Sequence, residues 1–127
     1  MTIRECIDNI DANKPNQYTD ADKITWLSQL DYSILNDIIL THKFNFFDKV
    51  IAPFRPYRAD DMDKELIAPF PYDVLYPAYL SMKIDELNQE TARYNNSATM
   101  FNAYYEDYAK HINKTHEPLG MRPFQIY

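Results

Sequence analysis

Glycine is nearly missing: in 127 residues it occurs once, at Gly120. A chain without glycine before that point has no glycine-rich loop to cradle a phosphate and no dinucleotide-binding fingerprint, since both need backbone that no Cβ obstructs. Sharp turns that require a positive φ must then use Asn or Asp instead. Cysteine is as scarce. Cys6 alone permits no internal disulfide, so nothing points to an oxidising compartment. No apolar run reaches the roughly 18 residues that span a bilayer. The opening Met1-Thr2-Ile3-Arg4-Glu5 lacks the apolar stretch of a signal peptide. Positive charge is also in short supply, with 13 Lys and Arg against 19 Asp and Glu, a net charge of −6. Such a balance excludes a free-standing grip on nucleic acid, which needs clustered cations to displace phosphate counterions. These absences predict a soluble, cytoplasmic protein with no membrane span.

What is present is apolar and aromatic. Hydrophobic residues make up 46% of the chain, enough for one real core, and aromatics reach 15%, with 11 tyrosines. Tyrosine joins an apolar ring to a polar tip, which suits both the rim of a small core and a protein–protein interface.

Local signals predict an all-α chain of about four helices, arranged as a small antiparallel bundle. Thr2 and Glu5 form a capping box, and Ile3, Cys6, Ile7 and Ile10 follow at helical spacing until Lys14-Pro15-Asn16. Thr19-Asp20-Ala21-Asp22 opens a second helix, with acidic residues at the positive end of its dipole. Ile24, Leu27, Leu30, Ile34, Leu35 and Ile38 then trace an apolar stripe, unbroken by charge, to about Leu40. A third helix begins after Pro71 and carries Leu75, Tyr76, Tyr79, Leu80, Ile84 and Leu87, with Pro77 early enough to be tolerated. The last helix shows a heptad seam of Tyr94, Ala98, Phe101, Tyr105, Tyr108 and Ile112.

Between helices 2 and 3 lies a long excursion, residues 42–71. Pro53, Pro56, Pro69 and Pro71 forbid a long helix there, and Phe44-Asn45-Phe46-Phe47 suits a short strand of a short β-hairpin. Its apolar residues, Phe46, Phe47, Phe54 and Tyr57 among them, must be covered by the domain itself or by another chain. Residues 1–117 therefore read as one helical domain, and 118–127 as a C-terminal tail.

Catalytic chemistry is thinly supplied. Cys6 lies on a core stripe, where thiols are inert. Asp107 and His111 are one helical turn apart and His116 follows, the material for a metal-dependent enzyme, but a capping or ion-paired histidine explains the same spacing. Asp60-Asp61-Met62-Asp63 lacks the glycine and distal glutamate of a calcium loop and reads as a solvated acidic face. No cofactor and no metal are expected.

One stretch is more specific. Pro71-Tyr72-Asp73, Tyr76 and Tyr79 start the third helix, and Glu90-Thr91-Ala92-Arg93-Tyr94-Asn95-Asn96-Ser97 with Phe101-Asn102 fills the fourth. In these residues, and in its Thr2–Glu5 and Thr19–Leu27 signals, the chain resembles a family of small prophage-encoded proteins from phages of Gram-positive bacteria, taken to be head–tail connector (adaptor) components of long-tailed phages. The resemblance implies a helical subunit that forms a ring of its own copies beneath the portal, touches the portal and neighbouring neck and tail proteins, and catalyses nothing. It places the chain in the virion, assembled in the bacterial host cytoplasm, with DNA passing through the ring unheld. A negative charge suits that conduit. The family pattern has a glycine before the glutamate of the last helix where this chain has Gln89, a departure that favours a kinked or continuous helix over a tight turn.

Alternatives stay open at several residues. Tyr72, Tyr76 and Tyr79 either pack on the second helix or face a neighbouring subunit. Arg93 makes a surface ion pair or clamps Asp73 or Asp85. Asn95 and Asn102 bond locally on the surface, or a buried Asn102 fixes helix register. A different functional class, a small regulatory adaptor gripping one partner through the aromatic loop, fits the same composition.

Overall fold

The structure, a computed structural model, describes residues 1–41 and 54–116. Phe46, Phe47 and the strand expected at 44–47 lie outside the described residues, as does the tail at 118–127. Among the described residues four α-helices carry the fold: α1 Ile3–Asn13, α2 Asp20–Ile34, α3 Leu75–Leu87 and α4 Thr91–Thr115.

The capping box of α1 forms as the sequence predicts, and α2, starting where expected, has a second one. The Glu5 amide donates to Thr2 Oγ1 at 3.1 Å and the Thr2 amide to Glu5 Oε1 at 2.8 Å, and Thr19 and Asp22 repeat the exchange. Beyond Ile34 the second helix widens into a π-helical turn, Leu35–Ile39, closed by the Leu40 amide on the Leu35 carbonyl. The apolar stripe of α2 is not free of charge: Lys23 and Asp31 are buried within it.

Residues 54–71 lie along the chain's own helices. Among the described residues the segment contains a short 3-10 turn, Ala59–Asp61, and one isolated bridge between Thr2 and Glu65, and no extended strand. Its backbone completes α1. The first amides of a helix have no partner within it, and here Ile3 donates to the Lys64 carbonyl at 3.1 Å and Arg4 to the Met62 carbonyl at 2.8 Å. Tyr57, Leu66 and Ala68 are buried with the helices.

The Phe70–Pro71 peptide is cis, and Tyr72–Val74 form a 3-10 turn that runs into α3. Between α3 and α4 the chain makes a tight turn, so the kinked or continuous helix expected there is corrected. Gln89 takes the left-handed conformation at φ 58°, so the position falls neither to Asn nor to Asp as expected. The reason is the hydrogen bonding: the Glu90 amide reaches the Asp85 carbonyl and the Gln89 amide the Glu86 carbonyl, both at 3.1 Å. That pair is a Schellman cap, which satisfies the last carbonyls of α3 and imposes positive φ on whatever residue fills the position. The two helices fold back on each other and share the most extensive contact in the chain. Tyr72, ahead of α3, stacks on His111 late in α4, while Tyr79 meets Phe101 in its middle.

Candidate functional site

Two buried carboxylates organise the interior. Asp31, on α2, is fully buried. Its Oδ1 accepts the Tyr76 hydroxyl at 2.6 Å, and its Oδ2 accepts the Tyr57 hydroxyl and, at 3.2 Å, the Ile67 amide. The Ala68 amide in turn donates to the Tyr76 oxygen at 2.7 Å, and the Tyr57 amide to Ser28 Oγ at 2.7 Å. One side chain of α2 thus ties down residues 57, 67 and 68 of the excursion together with α3. Burial holds the Asp31 carboxyl above its ordinary range, against the pull of the donors from Tyr57, Tyr76 and Ile67. The same burial, together with the Asp31 charge, pushes both phenols up, so they are fixed as donors.

Asp85, on α3, is equally buried but has a cationic partner. Lys14 Nζ lies 2.8 Å from its Oδ1, and Ser97 of α4 donates to Oδ2 at 2.6 Å. Nearby, Tyr18 donates to Asn88 Oδ1 at 2.7 Å. The loop joining α1 and α2 is thereby fastened to the C-terminal end of α3. Lys23, also buried, holds that loop from the other side, bonding Asp11 at 2.7 Å and the Tyr18 carbonyl at 2.8 Å. Its charge is matched by Asp11, as a buried ammonium requires.

The expected motif residues divide into an inner and an outer set. Tyr76 is wholly inside, on Asp31. Tyr72 stacks on His111 with ring centres 4.7 Å apart and also meets Tyr108. Tyr79, Phe101 and Tyr105 form a run of tilted rings at 5.1 and 5.6 Å. Asp73 is buried, with the Met1 amino group 3.5 Å away. Tyr94 is half-buried. Pro71, Arg93, Asn95 and Asn102 are exposed. Arg93 pairs with Glu90 at 3.0 Å, one helical turn back, and clamps neither Asp73 nor Asp85. An exposed Asn102 cannot set register from within a core. Of the loop aromatics, Phe54 is half-buried between Tyr32 and Tyr57, and Tyr57 is consumed inside the domain. Tyr72 and Tyr79 pack on α4, while Tyr76 serves α2.

Among the described residues no three His, Cys, Asp or Glu side chains are grouped to hold a metal ion, so Asp107, His111 and His116 do not form the metal site weighed as an alternative. Cys6 is buried, and desolvation pushes its thiol far up, away from the reactive thiolate. A shallow groove of about 430 Å³ runs between Arg4, Asp20, Ile24, Tyr57 and Met62. Its arginine lies 3.8 Å from Asp63. Among the described residues no helix is long and apolar enough to cross a membrane. Comparison of the chain with protein-family models, with curated proteins and with solved structures gives no match.

Proposed function

We propose that the protein is a structural subunit of a phage or prophage particle: a small helical bundle with an aromatic excursion, assembling as a head–tail connector ring below the portal and catalysing nothing. The observation that carries this reading is the division of the motif residues. Tyr72, Tyr76, Tyr79 and Phe101 are spent on holding α2, α3 and α4 together, whereas Arg93, Asn95, Asn96 and Asn102 line the outside of α4. A motif that is half scaffold and half exposed, uncatalytic surface fits a part whose work is to be contacted.

The buried polar groups support the same reading. Asp31 and Asp85 each join segments distant in sequence, and the groups that face them belong to the chain itself. A net charge of −6 suits a ring through which DNA slides without being held. Its partners are then copies of itself, the portal and adjoining neck or tail proteins, and its place is the virion.

Quantitative mass spectrometry of particles purified after induction of the encoding phage tests this directly. The expected result is the chain in full particles at a fixed multiple of the portal. Its absence from particles, with the protein recovered instead on a host partner, would overturn the reading in favour of a regulatory adaptor.

A further inference from the structure

Helix α4 carries two seams. The inner one, from Tyr94 to Ile112, is used by the core. On nearly the opposite side Arg93, Asn96, Met100, Ala103, Asp107 and Lys110 follow one another at the same alternation of three and four residues, and each is exposed. Met100, a large apolar side chain at its middle, is 53% exposed. From Tyr94 through Tyr105 the helix contains no charged residue, in a chain that is 25% charged. A helix face that is merely solvated is normally laced with charge. This one keeps its charges for the two ends.

Those charges are arranged in a way that selects a partner. Taking Met100 as the centre, Arg93 and Asp107 stand seven residues to either side, and Glu90 and Lys110 ten residues to either side. A second α4 laid antiparallel, Met100 against Met100, sets Arg93 of each copy opposite Asp107 of the other, about 10 Å from the centre at the helical rise. A parallel arrangement would instead oppose Arg93 to Arg93 and Asp107 to Asp107. We infer that the free protein forms an isologous dimer through the outer face of α4, with Met100 on the two-fold axis.

This inference goes beyond the connector reading and does not depend on it. A ring closes through head-to-tail contacts, so the dimer is a state of the unassembled subunit, to be given up if the same face is claimed by a neighbour in the ring. One helix pair buries less than the roughly 1,600 Å² of a standard interface, so the dimer is expected to be concentration-dependent. Its flanking charges make it weaken with salt.

The test is sedimentation equilibrium of the full chain across a concentration series at low and high salt, with circular dichroism to verify that each variant is folded. Wild type is expected to pass from monomer to dimer, and no further. Met100→Lys, which places like charges on the axis, and Arg93→Asp, which opposes Asp107, should each weaken the dimer about tenfold or more. The swap Arg93→Asp with Asp107→Arg should restore it. Met100→Cys should give a disulfide-linked dimer on mild oxidation, because the chain's own Cys6 is buried. A monomer at every concentration overturns the proposal. So does a dimer indifferent to Met100→Lys, or a charge swap no better than the single change. None of these results bears on particle content, so failure here and failure of the connector reading are separable.

Discussion

Asp31 and Asp85 are both fully buried carboxylates on core helices, yet they are held in opposite ways. Asp85 faces an ammonium, Lys14, and a hydroxyl, Ser97, so its negative charge is matched within the protein. Asp31 is held by two phenols and a backbone amide. The first arrangement fastens helix ends through an ion pair and depends on a single cation. The second fastens a long irregular segment through several neutral donors, each replaceable in part. Burying a charge is costly in either case.

The largest effect is expected at the neutral hub. Asp31→Leu strands two buried hydroxyls and the Ile67 amide, and should destabilise by about 4 kcal/mol in urea unfolding, since each orphaned group costs roughly 1–3 kcal/mol. Adding Tyr57→Phe should recover part of that loss, because one stranded hydroxyl is then gone, whereas adding Tyr76→Phe as well should recover less, since it orphans the buried Ala68 amide. At the ionic site Lys14→Met leaves Asp85 without its countercharge and should cost about 3 kcal/mol. The pair Lys14→Met with Asp85→Leu should come back close to wild type. If Lys14→Met proved harmless, the contrast between the two sites would collapse.

Titration sharpens the comparison further. Burial holds the Asp31 carboxyl above its ordinary 3.8, so the folded state binds that proton more tightly than the unfolded chain does. Its contribution is therefore full below about pH 3.8 and is lost as pH rises through the native value. The stability difference between wild type and Asp31→Asn should shrink across that interval. Urea midpoints at a series of pH values would show it, and a difference that widened instead would mean that the hydrogen bonds outweigh desolvation. The smallest effect lies at the turn that closes over Asp85. Gln89→Gly relieves a left-handed conformation at φ 58° and should stabilise by about 0.5–1 kcal/mol in thermal unfolding.

What was legible in the sequence follows how local its cause is. Thr2 with Glu5, Thr19 with Asp22, and Lys14-Pro15 fix helix ends through neighbours three residues away or fewer, and the structure has those ends where expected. The turn at Gln89 was not legible, because its warrant is a pair of carbonyls at the end of α3 and no glycine announced it. Asp31 was missed for a different reason. It lies four residues after Leu27 and three before Ile34, on the core period, and that position was the available signal. Its partners Tyr57, Ile67 and Tyr76 are 26, 36 and 45 residues away, beyond the reach of any spacing rule. The inner role of Tyr57 was hidden for the same reason. Which motif residues face outward on α4 likewise required knowing which seam α3 takes.

The connector reading is tested most directly by native mass spectrometry of the full chain mixed with the portal ring encoded by the same genome. The account predicts a product heavier than the portal by a fixed whole number of copies of this chain, formed equally by Cys6→Ser and by Asp107→Asn with His111→Gln, since neither a thiol nor a metal is at work. A portal ring that emerges at its own mass, beside unbound chain under conditions where other neck components add to it, would contradict the account.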